Sequence, residues 1–157
     1  MSIKNGFTLI ELIIVIIIVG ILATVGLNQY TAIIERGRAG EARTNLAVMR
    51  KLANEYYLKN GTLTGMTNAD VGMGSSQGSI PSSCVTSSYF YYYIVDYYAA
   101  SGYVGMRGRR CESGGKPPNA VADSGYLIQA DYYPGTGSVS WGCVRIIGGA
   151  WDGACPY

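Results

Sequence analysis

The sequence predicts an α+β protein in which one long N-terminal helix, membrane-spanning in its first half and amphipathic in its second, packs on a small antiparallel β-sheet head. Three observations predict it. Residues 7–27 are an apolar run with a single ionisable residue, Glu11. A stripe of small and apolar residues at helical spacing follows it. The remainder, rich in glycine and tyrosine, breaks into short alternating segments bounded by turn residues.

The apolar run covers twenty-one positions, and at about 1.5 Å of rise per residue these span roughly 30 Å, the thickness of a bilayer's hydrocarbon core. A secretory signal peptide has a shorter apolar core that ends in a small-residue cleavage site. Here the run passes without a break into the next helical stretch, so the span is expected to persist in the mature protein. Lys4 is the only charged residue before it, which places residues 1–6 on the cytoplasmic side and the long C-terminal part across the membrane. Glu11 stands apart, because a carboxylate within an apolar span costs about 2.5 to 3.5 kcal/mol on insertion scales and is normally kept for a partner. If the chain is cut between Gly6 and Phe7, Glu11 lies one turn from a new α-amino group and from the positive end of the helix dipole.

In the amphipathic half, residues 28–60, the stripe is Ala32, Ala39, Ala42, Leu46, Met49, Ala53 and Tyr56, with Arg36, Arg43, Arg50, Lys51 and Lys59 largely elsewhere. The stripe is expected to pack on the domain's own sheet, and Asn60-Gly61 to end the helix. Residues 61–88, dense in glycine, serine and threonine, read as a long surface loop. The sheet then falls within 89–157, with strands at 89–95, around 103–107, at 126–133 and at 138–146. Pro134-Gly135-Thr136-Gly137 forms the turn between the last two.

Composition narrows the function. Twelve Lys and Arg against ten Asp and Glu leave a net charge of +2, which argues against a dedicated nucleic-acid binder. The chain has no histidine, so serine-hydrolase triads and most zinc sites are excluded, and no enzyme activity and no cofactor are expected. Asp123 and Asp131 lack the D-x-D-x-D-G spacing of a calcium loop, and no metal site is expected. Four cysteines, Cys84, Cys111, Cys143 and Cys155, lie in the C-terminal half with no C-x-x-C pair. They read as two disulfides in an oxidising compartment, with three connectivities open. Arg107, Arg109 and Arg110 cluster beside Cys111 and are a candidate phosphate-binding patch, although a solvated loop is the more ordinary reading. Tyr91, Tyr92, Tyr93, Tyr97 and Tyr98 are expected to serve packing.

Lys4-Asn5-Gly6-Phe7-Thr8-Leu9-Ile10-Glu11, followed by the Ile/Val/Leu run, resembles the processing site of type IV prepilins, and the likeness continues through Gly20-Ile21-Leu22-Ala23, Asn28-Gln29-Tyr30 and Glu55-Tyr56-Tyr57. The resemblance implies that residues 1–6 are a leader removed by a prepilin peptidase after Gly6. It further implies that Phe7 is N-methylated and that Glu11 guides docking into a homo-oligomeric helical filament. Implied partners are an inner-membrane assembly platform and a cytoplasmic ATPase. The implied location is the inner membrane for the precursor and an extracellular pilus, serving adhesion, motility or DNA uptake, for the product. Trp141-Gly142-Cys143 followed by Cys155 resembles the disulfide-closed C-terminal loop of the family, which favours Cys143 with Cys155 and Cys84 with Cys111. A filament-tip binding module and a type II secretion pseudopilin are the alternatives. One departure is Asn28, which stands where many members have a proline, so no proline kink is expected.

Overall fold

The structure, a computed structural model, describes residues 7–74, 79–95, 102–116, 125–147 and 150–151. One helix, α1, runs from Leu9 to Asn60, and the chain divides into two compact units, residues 1–34 and 35–157. Each is built by a different rule.

In the first unit α1 is long and apolar enough to cross a membrane, and its large side chains are exposed, from 43% at Ile13 to 75% at Leu9. Among the described residues of this unit none covers them, and an exposed apolar surface of this extent marks a contact face for lipid or for other helices. The helix is continuous through Gly20, Gly26 and Asn28, in keeping with the missing proline. Glycine lowers helix propensity by only about 1 kcal/mol per residue, which is not enough to break a span of this length.

In the second unit the last turns of α1 lie on an antiparallel meander: β3 (Phe90–Val95), β4 (Val104–Arg110), β5 (Tyr126–Tyr133) and β6 (Ser138–Ile147), with a short β7 (Ala150–Trp151) paired to the end of β6. From Ala39 onward the expected helix stripe is the packed face: Ala42, Leu46, Met49 and Ala53 are fully buried, with Ala39 and Tyr56 packed against the same core, while the side chain of Ala32 lies outside those described. Opposite them, alternation along the strands turns Phe90 and Tyr92, Val104 and Met106, and Tyr126, Ile128, Ala130 and Tyr132 inward. The helix stops where expected, with Gly61 in the left-handed region at φ 71° and its N–H donating to the Tyr57 carbonyl at 2.7 Å. The β5–β6 turn is the expected Pro134-Gly135-Thr136-Gly137.

Three inward tyrosines do more than fill volume. The Tyr126 hydroxyl donates to Glu35 at 2.9 Å, the Tyr92 hydroxyl accepts from Asn45 at 2.9 Å, and the Tyr132 hydroxyl donates to Asn54 at 2.5 Å. The three α1 residues are nine and ten positions apart, about 14 Å along the axis per step, so the bonds fix the helix on the sheet along most of its packed length. This gives the excess of fourteen tyrosines over two phenylalanines a physical reason at three positions: each ring supplies core area and each hydroxyl finds a partner. Burial pushes the Tyr92 hydroxyl up to about 12 despite its bond from Asn45, so it stays protonated.

Two elements depart from the sequence reading. Residues 61–88 are more than a surface loop, since Leu63, Met66, Val71, Met73 and Ile80 all join the core. The segment also carries a 3-10 turn, Ala69–Val71, and a two-residue parallel pairing of β1 (Met73–Gly74) with β2 (Ile80–Pro81). Its apolar residues sit at irregular spacing among polar ones, so no single period exposes them. In addition, β4 continues to Arg110, three residues past its expected end, because its arginines find partners within the fold.

Gly108 lies where the sheet meets the helix: a Cβ there would stand 2.9 Å from Tyr92 Cε1 and 3.8 Å from Ala42 Cβ. Gly108→Ala is expected to displace the Tyr92 ring and cost about 1 to 3 kcal/mol, measured by chemical denaturation. Gly135→Ala, with nothing within 4 Å of its Cβ, should stay within about 0.5 kcal/mol of the parent.

Candidate functional site

The first candidate site is the start of α1. Thr8 is the residue before the helix, and Glu11 the third residue within it. The Thr8 N–H and hydroxyl donate to Glu11 Oε2 at 2.8 and 2.7 Å, and the Glu11 N–H donates to Thr8 Oγ1 at 3.4 Å. This is a capping box, in which the first backbone donors of the helix are satisfied reciprocally by a threonine and a glutamate three residues on. The carboxylate is therefore held at the positive end of the helix, where the dipole favours it. Both cap bonds fall on Oε2, which leaves Oε1 without a hydrogen bond among the described residues. Phe7 is described and exposed; Gly6 and the cleavage junction lie outside the described residues.

The second constellation, which the sequence reading missed, is buried where α1 enters the head. Glu35 is 0% exposed. Its Oε1 accepts from Arg110 Nε at 2.5 Å and from the Tyr126 hydroxyl at 2.9 Å, and its Oε2 accepts from Arg38 Nη1 at 2.8 Å. Arg110 is 1% exposed, and its Nη1 donates to the carbonyls of Lys116 at 2.7 Å, Tyr89 at 2.8 Å and Cys111 at 3.3 Å. Burial alone would raise the Glu35 carboxyl; the hydrogen bonds from Arg110 and Arg38, the Arg110 charge and the Tyr126 hydroxyl outweigh it and hold the group below the ordinary glutamate value. The Tyr89 ring lies among three cations, with Arg38 at 4.6 Å, Lys116 at 4.6 Å and Arg110 at 5.3 Å from its centroid.

These partners weigh against the candidate phosphate-binding patch at Arg107, Arg109 and Arg110. Strand alternation sends Arg110 inward and the other two outward. Arg107 is 8% exposed and bonded at 2.6 Å to Asp131, so its charge is matched before any phosphate could meet it. Arg109 alone has a side chain more than a third exposed, and Glu112 stands 3.8 Å from it. The same contact occupies Asp131, the described member of the aspartate pair considered for calcium, while Asp123 lies outside the described residues. Among the described residues no cluster of three or more His, Cys, Asp or Glu could hold a metal.

Cys84 and Cys111 form a disulfide, with Cα atoms 5.8 Å apart and a sequence separation of 27. Closing a loop of that length removes about 3 to 4 kcal/mol of unfolded-chain entropy in the loop model. Cys143, on β6, is not a free thiol, and the pairing expected for it, with Cys155, lies outside the described residues.

Residues 1–27 match the family model described as the prokaryotic N-terminal methylation motif. The chain is 41% identical over 75 residues to a fimbrial protein of Neisseria meningitidis serogroup B (strain ATCC BAA-335 / MC58), covering 48% of this chain and 44% of the relative. It is 36% identical over 88 residues to the fimbrial protein EcpC of Eikenella corrodens, covering 55% and 57%. It is 31% identical over 76 residues to the type IV major pilin protein PilA of Myxococcus xanthus (strain DK1622), covering 48% and 34%. The chain thus spans about half the length of the curated relatives it matches. The motif and the fimbrial relatives support the resemblance to type IV pilins noted from residues 4–11.

The buried cluster makes a stability prediction. Removing one partner of a buried pair strands the other, so Glu35→Ala and Arg110→Ala should each cost about 3 to 5 kcal/mol, and the double variant less than their sum. Because the Glu35 pKa is lowered on folding, its contribution is complete above the ordinary glutamate pKa of about 4.3 and is lost as pH falls through the folded value. Denaturation between neutral and acid pH should show this decline in the parent and its absence in Glu35→Gln.

Proposed function

We propose that this chain is a structural subunit of a type IV pilus, stored in the inner membrane through residues 7–27 and assembled into an extracellular helical filament through the same helix. The observation that carries the reading is an apolar helix whose large side chains are exposed, opening at a capped carboxylate inside a methylation motif. Outside lipid such a surface is stable only against more of its kind, and a bundle of identical helices supplies that cover.

On this reading a prepilin peptidase cuts after Gly6 and the new amino group of Phe7 is methylated. Methylation keeps that amine basic, so it can meet a carboxylate. Glu11 is prepared for it: Oε2 is occupied by Thr8, and Oε1 is available to the amine of Phe7 on a neighbouring copy. A copy arriving out of step leaves a carboxylate in apolar surroundings, a mismatch of a few kcal/mol that selects the correct step. The work of extraction from the membrane falls to a cytoplasmic ATPase and an inner-membrane platform, with no catalysis assigned to this chain. The matched charges of Arg107 and Arg110 weigh against nucleic-acid capture by the patch first considered.

Glu11→Val should enter the membrane normally but yield few or irregular filaments on shearing and electron microscopy; a normal filament yield would exclude the assigned role. Gly6→Leu should retain residues 1–6, read by mass spectrometry of the subunit's N-terminus, whereas filaments of the parent should begin at methylated Phe7.

A further inference from the structure

The Cys84–Cys111 disulfide lies directly against the carbonyls that hold Arg110. Gly114 packs on Cys84, its Cβ position 3.6 Å from Cys84 Cβ and from the Cys84 carbonyl. At Gly115 the fit is closer still: a Cβ would stand 2.9 Å from Cys111 Sγ and 2.9 Å from the Ser88 carbonyl, separations that real Cβ atoms do not show. The next residue, Lys116, donates its N–H to Ser88 at 2.9 Å and presents its carbonyl to Arg110 at 2.7 Å. The Cys111 N–H donates to the Tyr89 carbonyl at 2.9 Å, and that same carbonyl accepts from Arg110 at 2.8 Å. All three carbonyls that fix the Arg110 guanidinium thus belong to segments joined by the disulfide, and the opposite edge of the guanidinium carries Glu35 of α1.

We propose that the Cys84–Cys111 disulfide acts as a redox latch for the helix: closing it positions the carbonyl cage of Arg110, and Arg110 in turn holds Glu35 and with it the packed half of α1 on the sheet. The latch closes when the two thiols lose two electrons and two protons to a thiol oxidant such as a protein disulfide or oxidised glutathione, and it opens when a dithiol returns them. Opened, segments 84–89 and 111–116 lose their covalent tie and keep only the backbone bonds from Lys116 to Ser88 and from Cys111 to Tyr89, so the acceptors of Arg110 are less firmly fixed and the buried carboxylate is left with a less ordered partner. The groups facing Glu35 are Arg38 on α1, Arg110 on β4 and Tyr126 on β5, with Tyr89 and Lys116 behind Arg110. The carboxylate alone among them titrates in mild acid, so opening the latch should move the acid limit of the fold upward in pH. The latch lies wholly in residues 35–157 and operates whether or not the chain polymerises.

The test uses the full chain in detergent micelles, with acid unfolding followed by the near-ultraviolet circular dichroism of the buried tyrosines. Four chains are compared: the parent, Cys84→Ser with Cys111→Ser, Glu35→Gln, and all three changes together. Losing the disulfide should raise the acid midpoint by about one pH unit where Glu35 is present, and by less than about a third of that in the Glu35→Gln background. An equal shift in both backgrounds, or no shift with Glu35 present, overturns the proposal. Should the cysteine variants fail to fold, Gly115→Ala disturbs the cage with the disulfide intact. Hydrogen exchange at neutral pH should then show amide protection in residues 35–53 of α1 falling about tenfold further than in β5; a uniform fall, or none, overturns the proposal.

Discussion

A carboxylate without water must be given its charge partners by the fold, and the partners must be held as firmly as the carboxylate itself. Glu35 sits in the seam between α1 and the sheet under that constraint. Arg110 answers it with a guanidinium whose Nε faces the carboxylate and whose Nη1 is fixed by three backbone carbonyls. An arginine suits the place because its planar fork can serve both sides at once, which a lysine ammonium cannot. Most other features near the seam follow from it: β4 has to reach Arg110, Tyr126 brings a hydroxyl to Oε1, and the Gly114-Gly115 backbone is pressed against the disulfide to bring the Lys116 carbonyl into range.

The same helix carries a second carboxylate in the opposite circumstance. Glu11 is exposed and bonded only within its own first turn, with one oxygen left over. Glu35 is matched at both oxygens by the chain's own groups. One glutamate is completed by folding; the other is completed, in the proposed assembly, only by another molecule. That division follows the two units of the chain, one with a core of its own and one whose apolar surface has none.

Much of this was legible in the sequence. The apolar run, the stripe through Ala42, Leu46, Met49 and Ala53, the Asn60-Gly61 stop and the β5–β6 turn each rest on a local pattern, and the long helix and small sheet are found as read. The buried cluster was harder to see, because the stripe skips from Ala32 to Ala39 and its steps of three and four place Glu35 in the gap. A glutamate on a buried face calls for a cation, and Arg110 continues the inward alternation of Val104, Met106 and Gly108. Read singly, Glu35 looks like a solvated helix residue and Arg110 like part of a basic loop. Only the pairing across 75 residues of sequence reveals either role, and long-range pairing leaves no local period. The core residues of 61–80 were missed for a related reason, since isolated apolar side chains in a polar stretch carry no repeat.

The three tyrosine hydroxyls bound to Glu35, Asn45 and Asn54 also bear on how the molecule carries force. A pull along the axis of α1 loads all three bonds at once, in shear, instead of opening them one after another from an end. Sliding the helix by a single turn would strand every hydroxyl and every partner together. A subunit tugged by its helix therefore resists as a riveted lap joint does, with the load shared among the rivets and no gradual slip before failure.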